Sequence, residues 1–185
     1  MKKHITVACI ALVLSACAFS AKKKAEAISA LELSISESAK KNVADTTKVQ
    51  ELLADYDYYV NHYPKDSLTP VYLMRSADFD RAIGLPLKAI GNYHRVYMEY
   101  PQYPKTNMAL FLEGFTYEND LHDLEKARAS YNLYLQKFPD SKMAKDVKFL
   151  LEHLGMTPDQ IMHEVDSVRR ARTAAPVDTT ATARK

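Results

Sequence analysis

The amino-acid sequence predicts an all-α chain of antiparallel helical hairpins, with about seven to eight helices. Three observations point there. From about Ile28 to Arg172 apolar residues recur at helical spacing, and no run alternates as a half-buried strand would. Pro64, Pro70, Pro86, Pro101, Pro104, Pro139 and Pro158 all fall between the periodic segments. Proline lacks the amide donor and clashes with the preceding turn, so this placement marks helix ends and starts. Finally, one pattern recurs at a nearly constant interval, which a simple antiparallel bundle does not require.

Taken in order, the expected helices lie near 27–42, 46–62, 69–83, 86–99, 106–120, 123–137, 141–154 and 158–171. Gly84 and Gly155 sit where a left-handed C-terminal cap is wanted. Thr157-Pro158-Asp159-Gln160 reads as a helix start, with Thr as N-cap, Pro at the first position and Gln completing a capping box. The Thr/Ala-rich residues 173–185, with Pro176, read as a disordered tail.

The repeat is the main organising signal. Tyr63-Pro64, Tyr100-Pro101 and Phe138-Pro139 each close a helix, 37 and 38 residues apart, and Tyr56, Tyr93 and Tyr131 precede them at the same intervals. A shift of 38 also pairs Leu73 with Phe111, Ser76 with Gly114, Phe79 with Tyr117 and Ala89 with Ala127. Each unit is therefore a helical hairpin. A small residue lets its two helices approach, and an aromatic three positions later fills the groove. An alanine then opens the second helix, and an aromatic-Pro pair ends it.

Asp123-Leu124-Glu125-Lys126-Ala127, followed by Tyr131 and by Lys137-Phe138-Pro139-Asp140-Ser141, resembles the second helix of a tetratricopeptide repeat (TPR). The Phe/Tyr-Pro-Asp-Ser ending is similar to the bacterial periplasmic subset, of the outer-membrane-assembly and Tol-Pal type. The resemblance covers roughly 69–154 and is degenerate over 27–68. It implies a right-handed superhelix whose first helices line a concave groove. Groove positions would fall at Ala77, Asp80 and Arg81 in one unit and at Phe115, Glu118 and Asn119 in the next. An aromatic mixed with both charges suits a peptide or protein ligand better than a lipid or a long polyanion. Packing or solvation is the competing account of all six.

The amino terminus has a basic start (Lys2, Lys3, His4), a nearly continuous apolar stretch from Ile5 to Ala16, and small residues at its end. That is the layout of a secretory signal. Leu14-Ser15-Ala16-Cys17 resembles a bacterial lipobox. The resemblance implies a signal peptide at 1–16, an acylated (palmitate-bearing) Cys17 and a lipidated linker at 17–26. An uncleaved membrane helix is disfavoured, since twelve residues span only ~18 Å of a ~30 Å hydrocarbon core. Ordinary cleavage leaving a free thiol stays open. Ala18 to Ala21 lack the Asp tied to inner-membrane retention, so the lipoprotein resemblance implies an outer-membrane anchor in the cell envelope, facing the periplasm.

Composition narrows the function. Removing 16 of the 185 residues would leave 169, enough for a single domain with its own core. Lys2 and Lys3 would leave too, turning 25 basic against 23 acidic groups into an even balance. A dense basic face does not follow, so nucleic acid is disfavoured as a partner. Lys22, Lys23 and Lys24 would sit near anionic headgroups, each adding ~1 kcal/mol of attraction; a solvated linker explains them equally well. With Cys9 removed and Cys17 acylated, no cysteine would remain for a disulfide, a metal or catalysis.

No catalytic constellation appears. His62, His94, His122, His153 and His163 are scattered without metal-ligand spacing, and His122-Asp123 reads as a solvated turn. Phosphate loops, nucleophile elbows and zinc motifs are missing. The chain therefore reads as a non-enzyme without cofactor or metal. Twelve tyrosines and no tryptophan stand out, and helical periodicity assigns about two-thirds of those rings to the core. Tyr58 and Tyr59, about 100° apart on one helix, cannot both point inward. The expected function is a lipid-anchored scaffold or adaptor binding protein or peptide partners in envelope biogenesis or maintenance. A small-molecule or glycan receptor is the alternative.

Overall fold

The computed structural model describes residues 2–42 and 45–174, with side chains placed for 19–42 and 45–170. Among the described residues there are eight helices and no strand: α1 Lys2–Lys40, α2 Thr46–His62, α3 Thr69–Ala82, α4 Pro86–Glu99, α5 Thr106–Asn119, α6 Leu124–Lys137, α7 Ala144–Glu152 and α8 Pro158–Ala174. From α1 to α7 each helix packs on the next in the chain. The fold is an all-α array of consecutive helical hairpins, as the periodicity and the prolines require.

The repeat is present in the backbone itself. Tyr63, Tyr100 and Phe138 end α2, α4 and α6 with nearly the same dihedrals: φ −125, −127 and −132°, ψ 52, 59 and 52°. Each precedes a proline, whose ring disfavours helical ψ in the residue before it. Two short turns follow in every case. Asp66 N–H donates to Tyr63 O and Thr69 N–H to Asp66 O, and the same pair recurs at Tyr103 and Thr106 and at Ser141 and Ala144, all at 2.9–3.1 Å. The third copy delays α7 to Ala144, three residues later than the periodicity suggested.

Two differences at the ends matter. The linker expected at 17–26 is not extended chain over its described part: α1 runs through it, and Ala21 and Ala25 are buried against α2 with Ile28. These three residues at i, i+4 and i+7 continue an apolar stripe, which the lysines between them mask in the sequence. At the other end α8 reaches Ala174, and none of its residues 158–170 is buried. The side chains of the expected signal segment and of Cys17, and the tail positions 175–185, lie outside the described residues.

The interior divides into two groups of buried side chains. Ile28, Leu52, Tyr56, Tyr59, Leu73 and Tyr93 centre the first, and Leu110, Ala127, Tyr131, Tyr134 and Val147 the second. α4 and α5 contribute to both, through Tyr93 and Tyr97 and through Ala109 and Leu110. Seven tyrosines are buried (Tyr56, Tyr59, Tyr72, Tyr93, Tyr97, Tyr131, Tyr134), and Tyr63, Tyr100, Tyr103 and Tyr117 pack half-buried against them. Tyr59 is 1% exposed and Tyr58 45%, the split that their adjacency demanded.

Left-handed residues close the first helix of the later units: Gly84 (φ 79°), His122 (φ 54°) and Gly155 (φ 81°). Histidine is the outlier. Its Cβ crowds the following carbonyl in this conformation, and its ring Nδ1 lies only 3.2 Å from Glu118 O in return. His122→Gly is therefore expected to raise stability by about 0.5–1 kcal/mol, after the larger unfolded-state entropy of glycine is deducted. The midpoint of urea unfolding measures it; an unchanged or lowered midpoint would show that the histidine carries no strain there.

Candidate binding face on the first helices

Three second-helix tyrosines share one device. Each ring is buried, and each hydroxyl reaches out to a carboxylate on the preceding helix: Tyr56 to Glu32 Oε1 (2.5 Å), Tyr93 to Asp78 Oδ1 (2.6 Å) and Tyr131 to Glu118 Oε2 (2.7 Å). Burial, then the carboxylate, pushes all three phenols well above their ordinary value. They remain protonated donors, and they fix the carboxylates at the rim of each hairpin.

Arginines tie successive first helices along that rim. Arg75 on α3 reaches Glu32 on α1 at 2.6 Å. Arg81 on α3 forks onto Asp120, just after α5, with Nε at 2.6 Å and a second nitrogen at 3.2 Å. The same guanidinium lies 5.1 Å from the centre of the Phe115 ring, and Phe111 adjoins Phe115 at 6.0 Å. A planar cation held on both a carboxylate and a ring has little rotamer freedom left to lose when a partner docks.

The six groove positions are sorted by burial. The structure brings Arg81 and Phe115 together, and Glu118, three residues after Phe115 on α5, is the acceptor of Tyr131. Asn119 is exposed and donates to the Phe115 carbonyl on its own helix. Ala77 and Asp80 are corrected: both are 0% exposed, Ala77 within the first core group and Asp80 bonded to Asn92 of α4, so neither meets a partner at this surface. Glu32, Arg75, Asp78 and Asp120 complete the face and were not identified from the sequence. The recurring buried tyrosine was the available signal, because a buried phenol needs an acceptor.

Asp80 belongs to a polar layer inside its hairpin. Asn92 Nδ2 donates to Asp80 Oδ2 and to Ser76 Oγ, both at 3.2 Å, and Lys88 Nζ stands 3.4 Å from Asp80 Oδ1. The next hairpin builds its layer differently. Glu113 accepts from Ser130 Oγ at 3.1 Å, while His94 Nδ1 lies 3.2 Å from its other oxygen and 2.8 Å from the Tyr97 hydroxyl.

Desolvation pushes Asp80 and Glu113 above their ordinary values of 3.8 and 4.5, more than their partners lower them. Between the unfolded and the raised folded value, the native state holds a proton that the unfolded chain has released. Stability therefore falls as pH rises through that window and grows as pH is lowered from neutrality toward the unfolded values. The expected result is a higher unfolding midpoint in mild acid than at neutral pH, and Glu113→Gln should flatten the rise. A midpoint that falls steadily from neutrality toward pH 4.5 would contradict it.

Among the described residues no three His, Cys, Asp or Glu side chains gather closely enough to hold a metal ion. Nor is any helix of the described residues long and apolar enough to cross a membrane. No protein-family model matches the chain, and no curated protein matches it.

Proposed function

We propose that the chain is a non-catalytic scaffold of TPR type, anchored by lipid on Cys17 in the cell envelope and binding a protein or peptide partner on its first-helix face. The observation that carries this reading is the Arg81–Phe115–Asp120 cluster, which spans two hairpins. Arginine and aromatic side chains dominate binding hot spots, and this pair is already held in one geometry. The surrounding carboxylates and the exposed Asn119 would form a polar rim able to read a polypeptide backbone. Anchoring would confine the domain to a shell near the membrane and raise its effective concentration toward an envelope partner.

The test is crosslinking in intact cells from a photoreactive residue at Asn119, followed by identification of what is captured. One discrete adduct is expected. Phe115→Ala should weaken it by about thirtyfold, the loss of one hot-spot side chain. Adducts of many sizes, unaffected by Phe115→Ala, would overturn the binding face. For the anchor, Cys17→Ala is expected to move the protein from the membrane to the soluble fraction, and a variant that still sediments with membranes would refute lipidation.

A further inference from the structure

Alternating helices place residues 19–23 of α1 and the α2–α3, α4–α5 and α6–α7 turns on one edge of the array. Contacts confirm the adjacency. Ser20 Oγ lies 2.9 Å from the Tyr63 hydroxyl, Tyr100 donates to Pro64 O at 2.8 Å, and Asn107 Nδ2 reaches the Tyr134 hydroxyl, itself bonded to Ser141. The α1–α2, α3–α4, α5–α6 and α7–α8 turns occupy the opposite edge.

The two edges differ in charge. Residues 19–23, 63–68, 100–105 and 138–143 carry Lys22, Lys23, Lys65, Lys105 and Lys142 against Asp66 and Asp140. All five lysines are exposed, and none pairs with a carboxylate among the described residues. The opposite edge carries Lys41 and three aspartates, each already paired with a cation: Asp45 with Lys48, Asp120 with Arg81 and Asp123 with Lys126. Exposed apolar groups stand on both, Phe19 (71%) and Leu68 (36%) on the first and Ile83 and Leu85 on the second. Apolarity does not choose between the edges, but charge does.

Attachment chooses the same edge. Ala21 is 3% exposed in the core, only four residues after Cys17. Even fully extended, four residues span no more than about 14 Å. With no slack between anchor and core, the domain cannot stand away from the bilayer, and the edge it presents first is the lysine-bearing one.

We infer that the aromatic-proline edge is a second membrane contact, which lays the array along an anionic lipid surface with residues 19–23 of α1 and the three proline turns at the headgroups. Five lysines at the surface supply the electrostatic attraction, and Phe19 supplies an apolar insertion beside the anchor. The opposite edge, whose aspartates are already paired, then faces away, and the Arg81–Phe115 face stands at the side, open to a partner. The orientation rests on the anchor reading, whereas the affinity of the edge for anionic lipid does not.

The test uses the full chain with two kinds of vesicle, phosphatidylcholine alone and phosphatidylcholine with about one-third phosphatidylglycerol. Sedimentation is read first, then acylation of each lysine by mass spectrometry. With anionic vesicles Lys65, Lys105 and Lys142 should be acylated about fivefold more slowly than with neutral ones, Lys41 and Lys126 unchanged, and the protection should vanish in high salt. Lys65→Glu with Lys105→Glu should abolish protection at Lys142. Sedimentation with neutral vesicles reports attachment alone. If the chain stays soluble there yet sediments with anionic vesicles in a salt-sensitive way, the anchor fails and the edge stands. Equal acylation in both vesicle types, protection of both edges alike, or indifference to the double substitution would each overturn the inference.

Discussion

Tyr93→Ala is expected to cost about 3–5 kcal/mol, the range for deleting a large ring from a close-packed interior. Tyr93 is 0% exposed in the first core group, and Ala89 and Val96 of its own helix lie buried with it. Native domains hold only about 5–15 kcal/mol in total, so the variant should retain a small fraction of the wild-type margin. Tyr93→Phe separates ring from hydroxyl. It keeps the packing and removes only the bond to Asp78, whose exposed carboxylate regains water, so about 1 kcal/mol is expected. Urea unfolding followed by circular dichroism gives both values. Equal losses for the two variants would mean that the hydroxyl and not the buried ring holds α4 in place. A further expectation follows from the linear architecture, in which each unit touches only its neighbours: the alanine variant should broaden or split the transition. The second core group around Tyr131 and Val147 would then outlast the first.

The legible and illegible parts of the chain divide along physical lines. Helix ends at Tyr63, Tyr100 and Phe138 could be read because proline acts on the residue before it through local sterics, whatever the rest of the fold does. The Ser76/Gly114 pairing was legible for a related reason, since close helix approach demands a small residue at one position per unit. Ala77 and Asp80 were assigned to an open groove, and both are buried. A shift of 38 equates Asp80 with Glu118, yet Asp80 turns inward onto Ser76 and Asn92, while Glu118 stays at the rim under the Tyr131 hydroxyl. With glycine at 114 and serine at 130 the second hairpin takes its inward carboxylate from Glu113 instead. Repeat register fixes where a side chain starts, and the local hydrogen-bonding partners decide where it goes. The tyrosine-carboxylate pairs were hidden likewise, because the acceptor lies 24, 15 or 13 residues upstream of the tyrosine and no fixed spacing marks it.

Gly114→Val should be damaging on a comparable scale, through crowding instead of a void. A Cβ at 114 would lie 2.8 and 2.9 Å from Tyr131 Cε1 and Cδ1 and 3.1 Å from Ser130 Cβ, inside ordinary contact distance. The ring cannot swing aside easily. It is 0% exposed, its hydroxyl is held by Glu118 at 2.7 Å, and the Phe111 ring of α5 stacks on it with centroids 6.2 Å apart. Alanine at 114 gains up to about 1 kcal/mol of helix propensity, which offsets part of the clash, so a net loss of about 1–2 kcal/mol is expected. Valine adds two methyl groups and a stiff β-branch without further gain, and a loss of about 3 kcal/mol or more follows. Crowding and propensity are separated by a double-mutant cycle. If the clash with Tyr131 is the cause, Gly114→Val in a Tyr131→Ala background should cost at least about 1 kcal/mol less than in the wild type, because the void accepts the added methyls. Strict additivity would place the cost in the backbone of α5, and the account of Gly114 as the point where α5 and α6 touch most closely would have to be abandoned.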